Sequence, residues 1–226
     1  SLGRLAAQVA HEIRNPLGAV RLKVENAIAS DVSRQHESLM SVLVQVERIE
    51  TQVSSLLALT QPVTVSKKPT DVAAWLANTV SAHNEQAAMK NVNLSVDLKA
   101  LQSDIPGAGS CSANIDPAQM ARAVDNLVLN AIRHAPRDGK VVVRARGIAA
   151  PEGKSLRLVV IDNGPGVPAS DRERIFEPFV TGRPDGSGLG LAVAREVATA
   201  HGGRAYLADS EHGACFVIDI PWHTYS

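Results

Sequence analysis

The chain has 226 residues, 45% of them hydrophobic, enough for one large domain or two modest ones around a real core. Lysine plus arginine equal aspartate plus glutamate, 23 against 23, with no long run of one sign, which argues against a nucleic-acid-binding surface as the main function. Cys111 and Cys215 suggest neither a disulfide framework nor a zinc cluster, and no apolar run approaches the roughly 18 residues of a membrane span, so a cytoplasmic setting without membrane contact is expected. No signal peptide is visible, and Ser1 already lies inside an apolar helical stripe, so the sequence reads as a piece whose upstream part is missing.

The first predicted helix covers Leu2 to about Ala29. At ~100° per residue, Leu2, Leu5, Val9, Ile13, Leu17, Val20, Val24 and Ala27 share one face, and His11 points almost opposite. Asn15 lies one turn beyond His11, and Glu12 and Arg14 flank the pair. Pro16 removes the bond to the carbonyl of Glu12, at a cost of roughly 3 kcal/mol. A kink tolerated beside an exposed imidazole, carboxylate and amide suggests a site with a hinge below it.

A second helix, from about Glu37 to Leu59, carries Leu39, Val46, Val53 and Leu56 in a heptad register. Two such helices make an antiparallel hairpin of residues 1–61. Pairing with a second copy would bury both stripes in a four-helix bundle, so a homodimer is predicted. Residues 62–69, bounded by Pro62 and Pro69, read as a linker.

Residues 70–226 read as an α/β sandwich. Thr70 or Asp71 caps a predicted helix through about Met89, and Asn93 to Leu98 alternates like a strand. Asp104 to Ser110 is a loop, and Asp116-Pro117 opens a helix that stops before Pro136. Strands are predicted at Lys140–Ile148 and Leu156–Asp162. A long loop then leads to a helix ending at His201, followed by strands at Arg204–Ala208 and Ala214–Ile220.

Chemistry concentrates in this second module. On the helix after Pro117 the core face is Met120, Val124, Leu127, Val128 and Ala131, while Asn126, Asn130, Arg133 and His134 project from the other side. Amide carbonyl oxygens there suit Mg²⁺, a hard cation usually held partly by substrate phosphates. Asp162-Asn163-Gly164-Pro165-Gly166 follows an apolar strand. A carboxylate at that strand end can accept the exocyclic amine of adenine, with glycines letting the backbone approach a flat ring. Gly186-Ser187-Gly188-Leu189-Gly190-Leu191 opens a helix, where free N–H groups and the dipole favour phosphate. It is neither a P-loop nor a dinucleotide fingerprint, since no Gly-Lys-Ser/Thr follows and no strand immediately precedes it. Phe176-Glu177-Pro178-Phe179, with two of the three phenylalanines, looks like the anchor of a movable lid.

These segments together resemble bacterial two-component sensor histidine kinases. His11 to Leu17 resembles their H-box and Asn126 to Ala131 their N-box. Asp162 to Gly166 and Gly186 to Leu191 resemble the two glycine boxes, and Phe176 to Phe179 the F-box. All five stand in the family's order, and the Phe-Glu-Pro-Phe box is most similar to the nitrogen-regulation type. The resemblance implies a dimerisation and phosphotransfer hairpin followed by a Bergerat-fold ATP-binding domain. It makes His11 the phosphoacceptor, Glu12 the group that deprotonates it, and Asn15 the residue that orients water when the kinase acts as a phosphatase. It implies that Asn130 binds Mg²⁺ beside Asn126, that Arg133 contacts phosphate, and that Asp162 recognises adenine in ATP. Gly164, Gly166, Gly186, Gly188, Leu189 and Gly190 would then shape the nucleotide site. His134 departs from the tyrosine often found there. The implied partner is the receiver domain of a response regulator, with no nucleic acid involved. Chaperone-type and mismatch-repair ATPases share the N-box and glycine boxes but lack the H-box, while a scaffold or phosphatase-only protein would have no need of complete nucleotide boxes.

Overall fold

The computed structural model describes residues 17–29, 35–43, 46, 49, 63–103, 112–150, 153–182 and 188–222. His11, Glu12, Asn15, Pro16 and Gly186 lie outside the described residues. Residues 17–29 (α1) and 35–43 (α2) are helical, as are 46 and 49. Lys23 of α1 donates to the Ser41 hydroxyl of α2. On the predicted stripe Ala27 is buried but Leu17 is exposed, as are Leu22 and Ile28 off the stripe and Leu39, Met40 and Leu43 on α2. None of the described helices is long and apolar enough to cross a membrane.

The rest is two layers. A five-stranded sheet has the order β2 (Asn93–Asp97), β4 (Lys140–Ala150), β5 (Gly153–Asp162), β7 (Cys215–Pro221), β6 (Arg204–Ala208). Only β2–β4 is a parallel pair; the other neighbours are antiparallel. One face carries α3 (Val72–Ser81), α6 (Pro117–His134) and α7 (Gly190–Ala200). Strand periodicity sorts the faces. Val141, Val143 and Ala145, then Leu156, Leu158 and Val160, then Phe216, Ile218 and Ile220 all point to the helices and are buried. On the other face Arg144 and Arg146 are exposed, and Arg157 forms a two-toothed ion pair with Asp219 at 2.6 and 2.7 Å. Tyr206 adds its hydroxyl to the same carboxylate at 3.1 Å.

Three elements differ from the sequence reading. Lys68–Asp71 forms β1, paired antiparallel with β3 (Ser112–Ile115), so Pro69 stands in a strand opposite Asn114. Proline is tolerated in such a two-stranded edge ribbon; β1 has no apolar alternation, and the polar–apolar alternation of β3 spans only four residues. The helix expected through Met89 breaks at Ala82 and His83 into α3 and α4 (Asn84–Met89), where the Ser81 hydroxyl turns back onto the Asn78 carbonyl. Lys99–Ser103 forms a short helix, α5, that was not anticipated. Asp71 does cap α3, accepting from the amides of Ala73 and Ala74.

Asp116 caps α6 through Ala118 and Gln119, both at 3.1 Å, while its second oxygen accepts from the Ser66 amide at 2.8 Å. Burial opposes its ionisation, but these three backbone donors outweigh burial and lower its pKa. The Asp116 amide donates to Nε2 of buried His201, whose Nδ1–H donates to Val197 O, so the ring is neutral. Burial holds the pKa of His201 below its ordinary value. Lys67 closes the knot on the His201 carbonyl at 3.1 Å. Asp116→Ala should therefore lower stability by about 2 kcal/mol, the loss of a cap plus one backbone anchor. A thermal melt checks this, and a change below ~0.5 kcal/mol would contradict it.

Candidate functional site

The site lies where the C-terminal half of α6, the end of β5 and the start of α7 meet. The core face of α6 is buried as predicted, at Met120, Val124, Leu127, Val128 and Ala131, and this turns the opposite residues away from the sheet. Asn126 donates through Nδ2 to the Arg122 carbonyl at 2.9 Å. Its Oδ1 lies so close to Gly190 that a Cβ there would stand 2.8 Å away, so the glycine lets α7 start against α6. Asn130, one turn on, is half-buried, and its side chain hydrogen-bonds to none of the described residues. Arg133 and His134 are exposed in the last turn.

Asp162 ends β5 and is buried, 2% exposed. Oδ1 accepts from the Gly164 amide at 2.8 Å and the Ala214 amide at 3.3 Å. Oδ2 is buried with no hydrogen-bond partner among the described residues. Burial raises the pKa of Asp162, against the pull of those two amides and the nearby His134 ring. The local backbone is shaped to leave this geometry open. A Cβ on Gly164 would meet the His134 carbonyl at 2.6 Å, and one on Gly213, at φ +72°, would meet the Asp162 carbonyl at 1.9 Å. Gly166, at φ +75°, faces Gly213 across the same turn. A carboxylate oxygen buried without a donor fits the exocyclic amine of adenine, which supplies one.

The loop after β5 is pinned at its base. Phe176 is buried and meets Phe216 edge to face at 6.2 Å, and the Phe179 amide donates to the Gly188 carbonyl at 2.9 Å. Gly188, at φ +62°, allows this approach, since a Cβ there would stand 2.5 Å from the Phe179 carbonyl carbon. Leu189 is buried, 2% exposed, and precedes α7 as its N-cap without a side-chain capping bond. The first amides of α7 thus have no carboxylate or hydroxyl of their own cap on them, which suits an anionic group. Asp162, Gly164, Asn130, Arg133 and His134 thus cluster at one end of α6, with Gly188, Leu189 and Gly190 at the α7 side. Sequence reasoning missed Gly213 and Ala214; Asn163, within the Asp162–Gly166 segment, accepts through Oδ1 from the Lys140 amide at 2.7 Å. Ala214 acts through its backbone, which leaves no trace in residue type.

The family model for the His Kinase A (phospho-acceptor) domain matches residues 1–63. The model for histidine kinase-, DNA gyrase B- and HSP90-like ATPases matches residues 115–224. The chain belongs to the sensor histidine kinases, of which it carries the catalytic core. Sensor histidine kinase ZraS of Escherichia coli (strain K12) is 32% identical over 228 residues, covering 98% of this chain and 46% of that protein. Sensor protein kinase PilS of Pseudomonas aeruginosa is 32% identical over 221 residues, covering 96% of this chain and 40% of the relative. The chain thus spans about half the length of these relatives. Among solved structures, histidine kinase ThkA in complex with response regulator protein TrrA superposes with a TM-score of 0.79 at 23% identity, over 98% of this chain and 62% of that one. Acinetobacter baumannii histidine kinase AdeS gives 0.74 at 22%, over 95% and 98%. At these identities the structures establish the same fold.

Asp162→Asn tests the site. Asn must keep its oxygen on the Gly164 and Ala214 amides, which places its NH₂ where the free oxygen was and sets donor against donor. ATP affinity should fall by roughly tenfold to a hundredfold, the loss of a hydrogen bond to a charged group. Stability should move the other way. The pKa is raised in the native state, so ionisation costs stability progressively as pH rises through and above the ordinary carboxylate value of 3.8. The variant should melt at or above the parent at neutral pH, with the advantage shrinking towards acid. A clear drop in neutral melting temperature would contradict this account.

Proposed function

We propose that this core phosphorylates itself on His11 from Mg-ATP and passes the phosphoryl group to an aspartate of a response regulator. The observation that carries the reading is Asp162 Oδ2, buried without a partner in a chain that also holds the His11-Glu12-Ile13-Arg14-Asn15-Pro16 segment. In this reading Asp162 takes the adenine amine and the open first turn of α7 faces the phosphates. Asn130, with Asn126 beside it, would be the residues to hold the metal, and Arg133 would meet phosphate charge. Gly164 and Gly166 make room for the base, while Gly186, Gly188 and Gly190, with the Leu189 backbone, line the phosphate side. Mg²⁺, when bound, would neutralise charge on the phosphates, and the carbonyl oxygen of Asn130 is the donor suited to hold it.

The imidazole of His11 attacks the γ-phosphorus. The bond from that phosphorus to the bridging oxygen breaks, ADP leaves, and Glu12 takes the ring proton. Asn15 serves the reverse task of orienting water against a phosphorylated regulator. The kinase ThkA was solved with its regulator, which supports a receiver domain as partner here. The exposed apolar residues of α1 and α2 support a homodimeric bundle. Residues 1–61 would act as dimerisation and phosphotransfer hairpin, 62–69 as linker and 70–226 as ATP-binding domain. An ATP-consuming core of this kind belongs in the cytoplasm.

Incubation with γ-labelled ATP and Mg²⁺ should yield acid-labile, base-stable label on the chain. His11→Gln should remove all of it and leave ATP affinity within about twofold, since it alters none of the residues assigned to nucleotide binding. Label that persists in His11→Gln would overturn the assignment.

A further inference from the structure

α6 ends abruptly because Pro136 follows Ala135. Ala135 takes the extended conformation usual before proline, φ −56° and ψ 141°, and its amide donates to the Ala131 carbonyl. In a continuing helix the amide of residue 136 would bond the Ile132 carbonyl, but proline has none. Lys90 meets that need. Its ammonium donates to the carbonyls of Ile132 at 2.9 Å, Arg133 at 2.7 Å and Ala135 at 2.6 Å. A cation at a helix C-terminus is also favoured by the dipole. Lys90 is itself held in a tight corner. Asn91 adopts φ 55°, the Val92 amide returns to Ala87, and the Asn93 amide bonds Gly139 at the start of β2.

The carbonyl between those that Lys90 binds is that of His134, and it abuts Gly164. Gly164 in turn donates to Asp162 Oδ1. A chain of contacts therefore runs from Lys90 through the last turn of α6 to the turn after β5 and the carboxylate. We infer that Lys90 is a positioning residue for purine recognition: by holding the last turn of α6 it seats the His134 carbonyl against Gly164 and so orients the Asp162 carboxylate. This rests on reading Asp162 as the acceptor of the adenine amine. Lys90 touches no nucleotide. Lys90 also holds the turn that carries Arg133, so its effect on purine choice is read between two nucleotides that share the same triphosphate.

The experiment compares dissociation constants for ATP and for inosine triphosphate, which carries an oxygen in place of the amine. The full chain is used, as wild type, Asp162→Asn, Lys90→Met, Lys90→Gln and Lys90→Arg, with a thermal melt of each. Wild type should prefer ATP, and Asp162→Asn should flatten or reverse the preference. Lys90→Met and Lys90→Gln should reduce the ATP preference by roughly tenfold, the value of one well-oriented hydrogen bond, with Lys90→Arg in between. A residue that only caps the helix would lower the melting temperature and leave the ratio unchanged. Should Lys90→Met fail to fold, the glutamine and arginine variants are read in the same way. An unchanged ratio in any folded Lys90 variant, with Asp162→Asn behaving as expected, overturns the role of Lys90 alone. A wild type without preference, or an Asp162→Asn variant that keeps it, overturns the reading of Asp162 and the role of Lys90 with it.

Discussion

A carboxylate buried at the end of a central strand, with one oxygen satisfied and the other not, is the constraint around which this domain is built. Burying an unpartnered polar atom is costly, and burying a charge more so. Asp162 nevertheless sits 2% exposed with Oδ2 unpaired. Its surroundings show how the arrangement is held. Gly164 and Ala214 pin Oδ1, and Gly164 and Gly213 occupy places where any side chain would collide. The free oxygen is left as an acceptor awaiting a donor, the pattern expected of a site that binds rather than of a core that only packs.

α6 joins this end of the molecule to the other. At 18 residues it is about 27 Å long. Its N-terminus is tied by Asp116 to Ser66, in the segment that leads from the hairpin, and through His201 to the end of α7. Its C-terminus is tied by Lys90 and leans on Gly164. Asn126 and Asn130 lie between. The helix that carries the amides is thus anchored at both ends to the segments it has to coordinate, and α7 runs beside it with Gly190 set against Asn126.

Local chemistry made much of this legible from residue types alone. Asp116-Pro117 announced the start of α6, and the apolar spacing from Met120 to Ala131 gave its buried face. The run from Leu156 to Asp162 placed the carboxylate at a strand end. The less legible parts depend on contacts distant in sequence. β1 and β3 are short, carry few apolar residues and exist because they pair with each other. Ala214 contributes a backbone amide, and Gly213 is needed for a collision visible only once β7 lies beside β5. Lys90 looks like any surface lysine until Pro136 strips a hydrogen bond from a helix end 42 residues away. The segment proposed as phosphoacceptor is the converse case: His11, Glu12 and Asn15 are explicit in sequence and lie outside the described residues.

The most direct test of the central claim is the titration of the Asp162 carboxyl itself, followed by carbon NMR on selectively labelled protein with and without saturating ADP. In the free chain burial should hold its pKa above the ordinary value. Donation from the adenine amine favours the charged form, so ADP should pull that pKa down. A carboxyl that titrates in the ordinary range when free, or whose titration is unmoved by saturating ADP, would contradict the account.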